Sequence, residues 1–156
     1  MIPIPFQGII EAKCAKYNIP SWPWIAAIVL QESSGNPWSI RYEPGFFKRY
    51  IVKDLEELGA TEAFARSTSW GLMQVMGQVA REHGFKGKFL SELCSPEAGL
   101  EYGVIHFAHF LKLYGNAFDA VSAYNQGNNR SLGGQYLNQS YVDSVTAKYK
   151  AIVGMN

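Results

Sequence analysis

Residues 21–37 read SWPWIAAIVLQESSGNP, and this stretch decides how the chain folds. Ser21 is a residue type that caps helices, and Pro23 stands in the first turn, where its missing N–H does no harm. An almost unbroken apolar run follows. Gly35-Asn36-Pro37 then form a stop signal. The stretch therefore predicts a nearly all-apolar helix that begins after Ser21 and ends near Ser34.

Helical spacing of apolar residues extends over the rest of the chain. No segment alternates apolar and polar residues as a half-buried strand would, and there is no internal repeat and no linker. We therefore expect an all-α protein with a single domain over residues 1–156. Loops are expected at the aromatic residues 38–50 and at the Gly-rich residues 125–134. The further helices are predicted at residues 6–17, 52–58, 61–66, 72–83, 96–113, 117–124 and 140–153.

The composition is that of a globular domain without a polyanionic partner. The chain has 156 residues, of which 47% are hydrophobic, and this is enough to bury a core. The formal net charge is only +1, so the strongly basic stripe of a nucleic-acid-binding protein is missing. No apolar run is long enough for membrane insertion. Cys14 and Cys94 lie far apart with no CxxC motif, and we expect two free thiols.

Glu32 carries the most chemical information. Ile25, Ile28 and Val29 lie behind it at helical spacing, on the same face of the predicted helix. A carboxyl group at the end of an apolar helix loses hydration, which raises its pKa and suits a general acid that must hold a proton near neutral pH. Taken alone, Glu32 has a simpler interpretation as a solvated residue at a helix end.

Three further motifs follow Glu32 in order along the chain. Residues 32–37 read ESSGNP, residues 69–76 read SWGLMQVM, residues 123–127 read AYNQG, and a Tyr-Val pair begins at Tyr141. Together they resemble the soluble lytic transglycosylase family, relatives of the goose-type lysozymes. The resemblance spans roughly residues 20–150. Each motif alone is weak, but the set in this order is specific.

The resemblance implies a lysozyme-like helical fold with a groove for alternating N-acetylglucosamine and N-acetylmuramic acid. Glu32 would act as acid and then as base, and Tyr124 would hydrogen-bond its carboxyl group. Met73 and Met76 have an equally ordinary interpretation as core residues. The resemblance further assigns to substrate binding Ser33, Ser69, Gln74, Met76, Tyr124, Asn125 and Tyr141.

The sequence departs from the family pattern between Glu32 and Gln74, where the spacing is longer than usual. We interpret residues 38–68 as an insertion that could form a wall or a lid of the groove. The insertion also supplies Glu43 as a candidate second carboxylate. A hydrolase needs such a base to activate water, whereas a transglycosylase does not. Glu43 has a simpler interpretation as the ion-pair partner of Arg41, so a lytic transglycosylase is preferred and a muramidase or chitinase stays open.

Two other classes of protein have weaker support. His106 and His109 share a helix face, but no third metal ligand is evident, so we expect neither metal nor cofactor. A non-catalytic glycan-binding module would keep the aromatic residues but would not need Glu32 on an apolar helix.

The expected partners are peptidoglycan glycan strands, with chito-oligosaccharides as an open second substrate, and the expected state is a monomer. Residues 1–5 lack the basic and apolar regions of a signal peptide. We therefore expect synthesis in the cytoplasm and action on the cell wall. Phage-mediated release, as for an endolysin, is one route; a virion or secretion-associated wall enzyme and an excised domain of a larger protein stay open.

Overall fold

The structure, a computed structural model, describes residues 3–154. Helices dominate these residues, which confirms the all-α prediction. Met1 and Ile2, part of the N-terminal segment without signal-peptide features, and both ends of the predicted 1–156 domain lie outside the described residues. No helix within residues 3–154 is long and apolar enough to cross a bilayer. The helices are α1 (Gln7–Lys16), α2 (Trp22–Ser33), α3 (Pro44–Phe46), α4 (Leu55–Leu58), α5 (Ala60–Arg66), α6 (Gly77–Glu82), α7 (Pro96–Tyr114), α8 (Ala117–Gln126) and α9 (Gln139–Val153).

The chain forms two compact units. Of the described residues, the first unit contains 3–35 and 104–154 and the second contains 36–103, so the chain changes unit after Gly35 and again inside α7. The first unit is built around α2, whose residues from Pro23 to Val29 are all buried. A helix that is apolar on every side must be enclosed by other elements, and α1 and α9 pack against this one.

Both ends of α2 follow from its sequence. Ser21 precedes the helix as predicted, but its hydroxyl makes no capping hydrogen bond. The helix ends at Ser33 because Ser34 and Gly35 adopt left-handed backbone conformations, with φ of +52° and +81°. A Cβ atom on Gly35 would also lie 2.5 Å from Cγ of Pro5, so only glycine fits there. Ring packing anchors the N-terminal half, where Trp24 stacks on Tyr149 at 4.0 Å between centroids.

The second unit contains a small antiparallel sheet that the sequence did not indicate. Its strands are β1 (Ile40–Tyr42), β2 (Thr68–Trp70) and β3 (Val75–Met76), with β2 in the middle. The prediction of a helix over residues 72–83 was wrong at its start, because the chain reverses between β2 and β3 and α6 begins only at Gly77. Strands of two or three residues are too short to show alternation. A second short pair, Ser131–Leu132 with Gln135–Tyr136, overlaps the predicted loop at 125–134.

The segment between β1 and β2 is a chain of short helical pieces. After α3 the backbone forms a π-helical turn over Phe47–Ile51 and a 3₁₀ turn over Val52–Asp54, and then α4 and α5. The prediction of short helices at 52–58 and 61–66 is close to these bounds. The sequence prediction of an irregular loop over residues 38–50 was wrong, because β1, α3 and most of the π-helical turn lie in this range.

A charged cluster joins α5 to α6 in the second unit. Glu62 accepts hydrogen bonds from Arg81, with Nε at 2.8 Å and Nη2 at 3.2 Å, and from Nε of Arg66 at 2.8 Å. These bonds, that from Arg81 above all, hold the pKa of the Glu62 carboxyl below its ordinary value of 4.5. The ionised form of Glu62 is therefore stabilised by folding.

Glu62→Gln should lower the free energy of unfolding at neutral pH, and the deficit should shrink in acid. A carboxyl with a depressed pKa stabilises the folded state above its unfolded pKa, and this contribution is lost as the pH falls through the folded value. Urea unfolding of the wild type and the variant at pH 7 and below pH 4 measures the difference. Glu57→Gln, at an exposed position of α4, is the control for the loss of one negative charge. If Glu62→Gln lowered the free energy of unfolding as much below pH 4 as at pH 7, this explanation would be contradicted.

Candidate active site

Glu32 lies in the last turn of α2, half-buried, where the apolar helix meets its left-handed end. The residues one turn before it, Ile28 and Val29, are fully buried, as is Ile25. The position of Glu32 is therefore fixed by the burial of α2 itself. A carboxyl group here has an apolar surface behind it and solvent on its other side, which is what a proton donor to a bound substrate requires.

Tyr141 of α9 makes a hydrogen bond to this carboxylate. Its hydroxyl donates to Oε1 of Glu32 at 2.5 Å, a short, charge-assisted bond. Burial and the neighbouring charge of Glu32 raise the pKa of the Tyr141 hydroxyl far above its ordinary range. The hydroxyl therefore stays protonated at any working pH and holds Glu32 in one orientation.

Tyr124 of α8 also lies within the electrostatic reach of Glu32. Its ring is in the core of the first unit and contacts the ring of His106 at 5.3 Å between centroids. Burial, followed by the charge of Glu32, raises the pKa of Tyr124 well above its ordinary value of 10. The structure therefore places two protonated tyrosine hydroxyls in the environment of one carboxylate, and the 2.5 Å bond comes from Tyr141.

A polar network next to Glu32 was not identified from the sequence. Oε1 of Gln31 accepts hydrogen bonds from Oγ of Ser144 at 2.6 Å and from Nζ of Lys148 at 2.8 Å. Lys148 also donates to Ser144 at 3.0 Å. Tyr141, Ser144 and Lys148 are spaced by three and four residues, so they share the face of α9 that meets α2. The only sequence signal for this network is that spacing.

Ser33 and Asn125 have structural partners in the first unit. The Ser33 hydroxyl donates to the Val29 carbonyl at 3.1 Å and accepts from the Gly35 amide at 3.2 Å, which closes the end of α2. Asn125, at the exposed end of α8, accepts a hydrogen bond from Asn138 at 2.9 Å. Ser33 thus shapes the backbone that follows Glu32, whereas Asn125 links the end of α8 to the residue before α9.

The Gly-Leu-Met-Gln motif forms the tight turn between β2 and β3 in the second unit. Gln74 has a left-handed backbone, with φ of +49°. Its side-chain Nε2 donates to the carbonyls of Ser39 at 2.8 Å and Gly71 at 3.0 Å, while Oε1 accepts from the buried Ser69 hydroxyl at 3.1 Å. The amide group of Gln74 therefore braces the turn and ties it to the residues before β1.

The two methionines of the motif have different environments. Met73 is fully buried, and its side chain fills the space that a Cβ on Gly103 would need, with Sδ only 2.3 Å from that point. Met73 is therefore a core residue. Met76 is half-exposed at the end of β3, just before α6.

Comparison with known families settles where the chain belongs. Residues 8–141 match the family described as the Transglycosylase SLT domain. The chain belongs to this family. The matched segment contains every candidate residue from Glu32 to Tyr141, and the SLT family is one of peptidoglycan-cleaving transglycosylases. A comparison with curated proteins finds no match.

In this SLT domain, Glu43 is engaged by a neighbouring cation. Its carboxylate lies 2.5 Å from Nε of Arg41, and Glu43 is the residue that immediately precedes α3. Its backbone N–H donates to the Ser67 carbonyl at 2.9 Å, which fixes the backbone at this point. The arrangement matches the simpler interpretation of Glu43 as an ion-pair partner.

The two histidines of α7 pack on aromatic rings. His106 and His109 both contact Phe110, with centroids 4.8 Å and 5.1 Å away. Within residues 3–154, no group of three or more His, Cys, Asp or Glu side chains is placed to hold a metal ion. Cys14 and Cys94 are buried free thiols, as predicted.

Proposed function

We propose that this SLT domain is a lytic transglycosylase that cleaves the β-1,4 bond from N-acetylmuramic acid to N-acetylglucosamine and leaves a 1,6-anhydromuramoyl end. Membership of the family supplies the substrate class, peptidoglycan. The observation that carries the proposal is the Glu32 carboxylate at the end of a buried helix, held by the Tyr141 hydroxyl.

One carboxyl group is sufficient for this reaction. Glu32 in its protonated form donates its proton to the bridging oxygen as the bond from C1 to that oxygen breaks. The resulting carboxylate then takes the proton of the muramoyl 6-hydroxyl while O6 bonds to C1. Glu32 ends the cycle protonated, and no water is consumed. Tyr141 orients the carboxyl group through both steps without giving up its own proton.

The environment of Glu43 favours this route over hydrolysis. A hydrolase of the inverting type needs a free carboxylate to take a proton from water. The Arg41 guanidinium already donates to Oε1 of Glu43, so this oxygen is engaged by a neighbouring cation rather than free for a water molecule. A muramidase that uses Glu43 remains the second candidate because the insertion supplies this carboxylate.

The other candidate residues divide into two roles in this proposal. Ser33, Ser69 and Gln74 keep the backbone in shape, since their polar groups are used within the chain. Met76, Asn125 and Tyr124 would contact sugar or support Glu32. We further propose that the protein works as a monomer and, like an endolysin, reaches the wall from the cytoplasm by phage-mediated release. Chito-oligosaccharides are a possible second substrate in the muramidase alternative.

Digestion of purified peptidoglycan in ¹⁸O-labelled water separates the two reactions. Transglycosylation should give muropeptides with anhydro ends and no ¹⁸O, because no water enters the product. Glu43→Gln should give the same products at a similar rate. New reducing ends that carry one ¹⁸O, and that disappear in Glu43→Gln, would instead establish the muramidase.

A further inference from the structure

The segment from β1 to the end of α5 exposes apolar side chains that serve no part of the proposed reaction. Ile40, Tyr42, Tyr50, Val52 and Phe64 are each between 41 and 59% exposed. We call these five residues, together with the neighbouring Lys48, Arg49 and Lys53, the insertion patch. The rings of Tyr42 and Phe64 are in contact, with centroids 5.5 Å apart, so part of this exposed apolar surface is continuous, and such surface marks interaction sites.

Ring contacts hold the insertion patch together. Phe47 and Phe64 stack at 4.9 Å with an interplanar angle of 3°, and Tyr42 contacts both of them. Phe46, next in sequence, contacts Tyr50 at 4.9 Å. The exposed rings are therefore fixed by half-buried ones. The same segment contains the π-helical turn over Phe47–Ile51, and such turns are frequent at functional sites.

Positive charge is concentrated in the same segment. Residues 40–54 contain four cationic side chains and two carboxylates, a net charge of +2, whereas the whole chain carries only +1. One of the carboxylates, Glu43, is paired with Arg41. Lys48, Arg49 and Lys53 are all exposed. The charge of the patch is thus complementary to an anionic surface.

The side-chain composition of residues 40–54 suits a lipid surface better than a sugar chain. Sugar recognition relies on amide and hydroxyl side chains, and apart from the phenol groups of Tyr42 and Tyr50, residues 40–54 contain none of them. Exposed aliphatic side chains such as Ile40 and Val52 offer nothing to a polar sugar face. Aromatic and aliphatic groups beside Lys and Arg are instead the composition of surfaces that bind at the headgroup level of anionic membranes.

We propose that the insertion patch binds the surface of anionic phospholipid bilayers. The apolar side chains enter the headgroup region, and the three cations pair with lipid phosphates. The interaction is reversible and does not cross the bilayer. It is independent of the proposed function, since it requires neither Glu32 nor a glycan.

Co-sedimentation with vesicles tests the proposal. The wild type should pellet with vesicles that contain phosphatidylglycerol, and not with pure phosphatidylcholine vesicles, and high salt should release it. Lys48→Glu/Arg49→Glu should weaken binding by at least about 20-fold, given the attraction of each cation to an anionic leaflet. Tyr50→Ser/Val52→Ser should weaken it by about fivefold or more through lost apolar burial. Activity on lipid-free peptidoglycan should be unchanged in both variants.

Matched charge reversals on the first unit provide the control. Lys112→Glu/Lys150→Glu reverses two exposed lysines that lie far along the sequence from the patch, and it changes the net charge as much as Lys48→Glu/Arg49→Glu does. Its affinity for vesicles should lie within about twofold of the affinity that its changed net charge alone predicts. The proposal would be overturned if the wild type did not sediment with anionic vesicles, or if it bound neutral vesicles equally well. It would be overturned if the control variant lost as much vesicle binding as the patch variants, or if the patch variants lost binding to lipid-free peptidoglycan. A patch-dependent dimer in sedimentation velocity would also overturn it, by identifying a second copy of the chain as the occupant.

Discussion

Glu32→Gln is expected to lower the rate of muropeptide release from purified peptidoglycan by about 10²–10⁴-fold, the range typical of a general acid–base group. Glutamine has the shape of glutamate but cannot transfer a proton. The Tyr141 hydroxyl can still donate to the amide oxygen, so the end of α2 should keep its structure. The urea midpoint should therefore remain close to that of the wild type, and the variant should still bind the wall. Rates within tenfold of wild type would exclude Glu32 as the acid.

Tyr141→Phe is the companion variant, because it removes the hydrogen bond and leaves the carboxyl group. A hydrogen bond to a charged group contributes about 1.5–3 kcal/mol, so the rate should fall by roughly 10–100-fold. A smaller loss for Tyr141→Phe than for Glu32→Gln is the order that a positioning role requires. If both variants lost activity only through unfolding, their urea midpoints would fall together with their rates.

Gly71→Ala is expected to destabilise the folded protein by about 2–5 kcal/mol, the sum of two costs. The backbone of Gly71 is left-handed, with φ of +71°. A Cβ atom at this position would also lie 2.4 Å from the carbonyl oxygen of Leu93, a backbone atom that cannot move aside. Chemical unfolding monitored by circular dichroism measures the loss.

Gly115→Ala separates the two costs. Gly115 has nearly the same φ, +76°, but a Cβ atom there would meet nothing within 4 Å. This control should cost only the backbone term, about 1–2 kcal/mol. If Gly71→Ala lowered the free energy of unfolding no more than Gly115→Ala does, the close approach of Gly71 to the Leu93 carbonyl would not affect stability.

The central helix α2 was predictable because all of its local sequence signals indicate the same structure. Apolar residues on all sides, Pro23 in the first turn and Gly35 after the end define α2 without any tertiary information. The same stretch placed Glu32 at the edge of a core. The order and spacing of the motifs then indicated the family. In the structure these motifs occupy the end of α2, the turn between β2 and β3, and the end of α8.

The partner of Glu32 was harder to predict because it comes from distant sequence. Tyr141 lies 109 positions away, and the hydrogen bond depends on how α9 packs against α2. The hydrogen bonds by which Gln74 braces the turn were not predictable for a related reason. The side-chain amide of Gln74 braces the turn because its backbone is left-handed and because the carbonyl of Ser39, 35 residues earlier, accepts its hydrogen bond. Neither feature can be recognised in the local sequence.

The central claim is that the Glu32 carboxyl performs the proton transfers of peptidoglycan cleavage. Mass spectrometry of the muropeptides released by equal amounts of folded wild type and Glu32→Gln tests it most directly. We predict 1,6-anhydromuramoyl ends in the wild-type digest and intact strands in the Glu32→Gln digest. Anhydro ends released at wild-type levels by Glu32→Gln would contradict the claim.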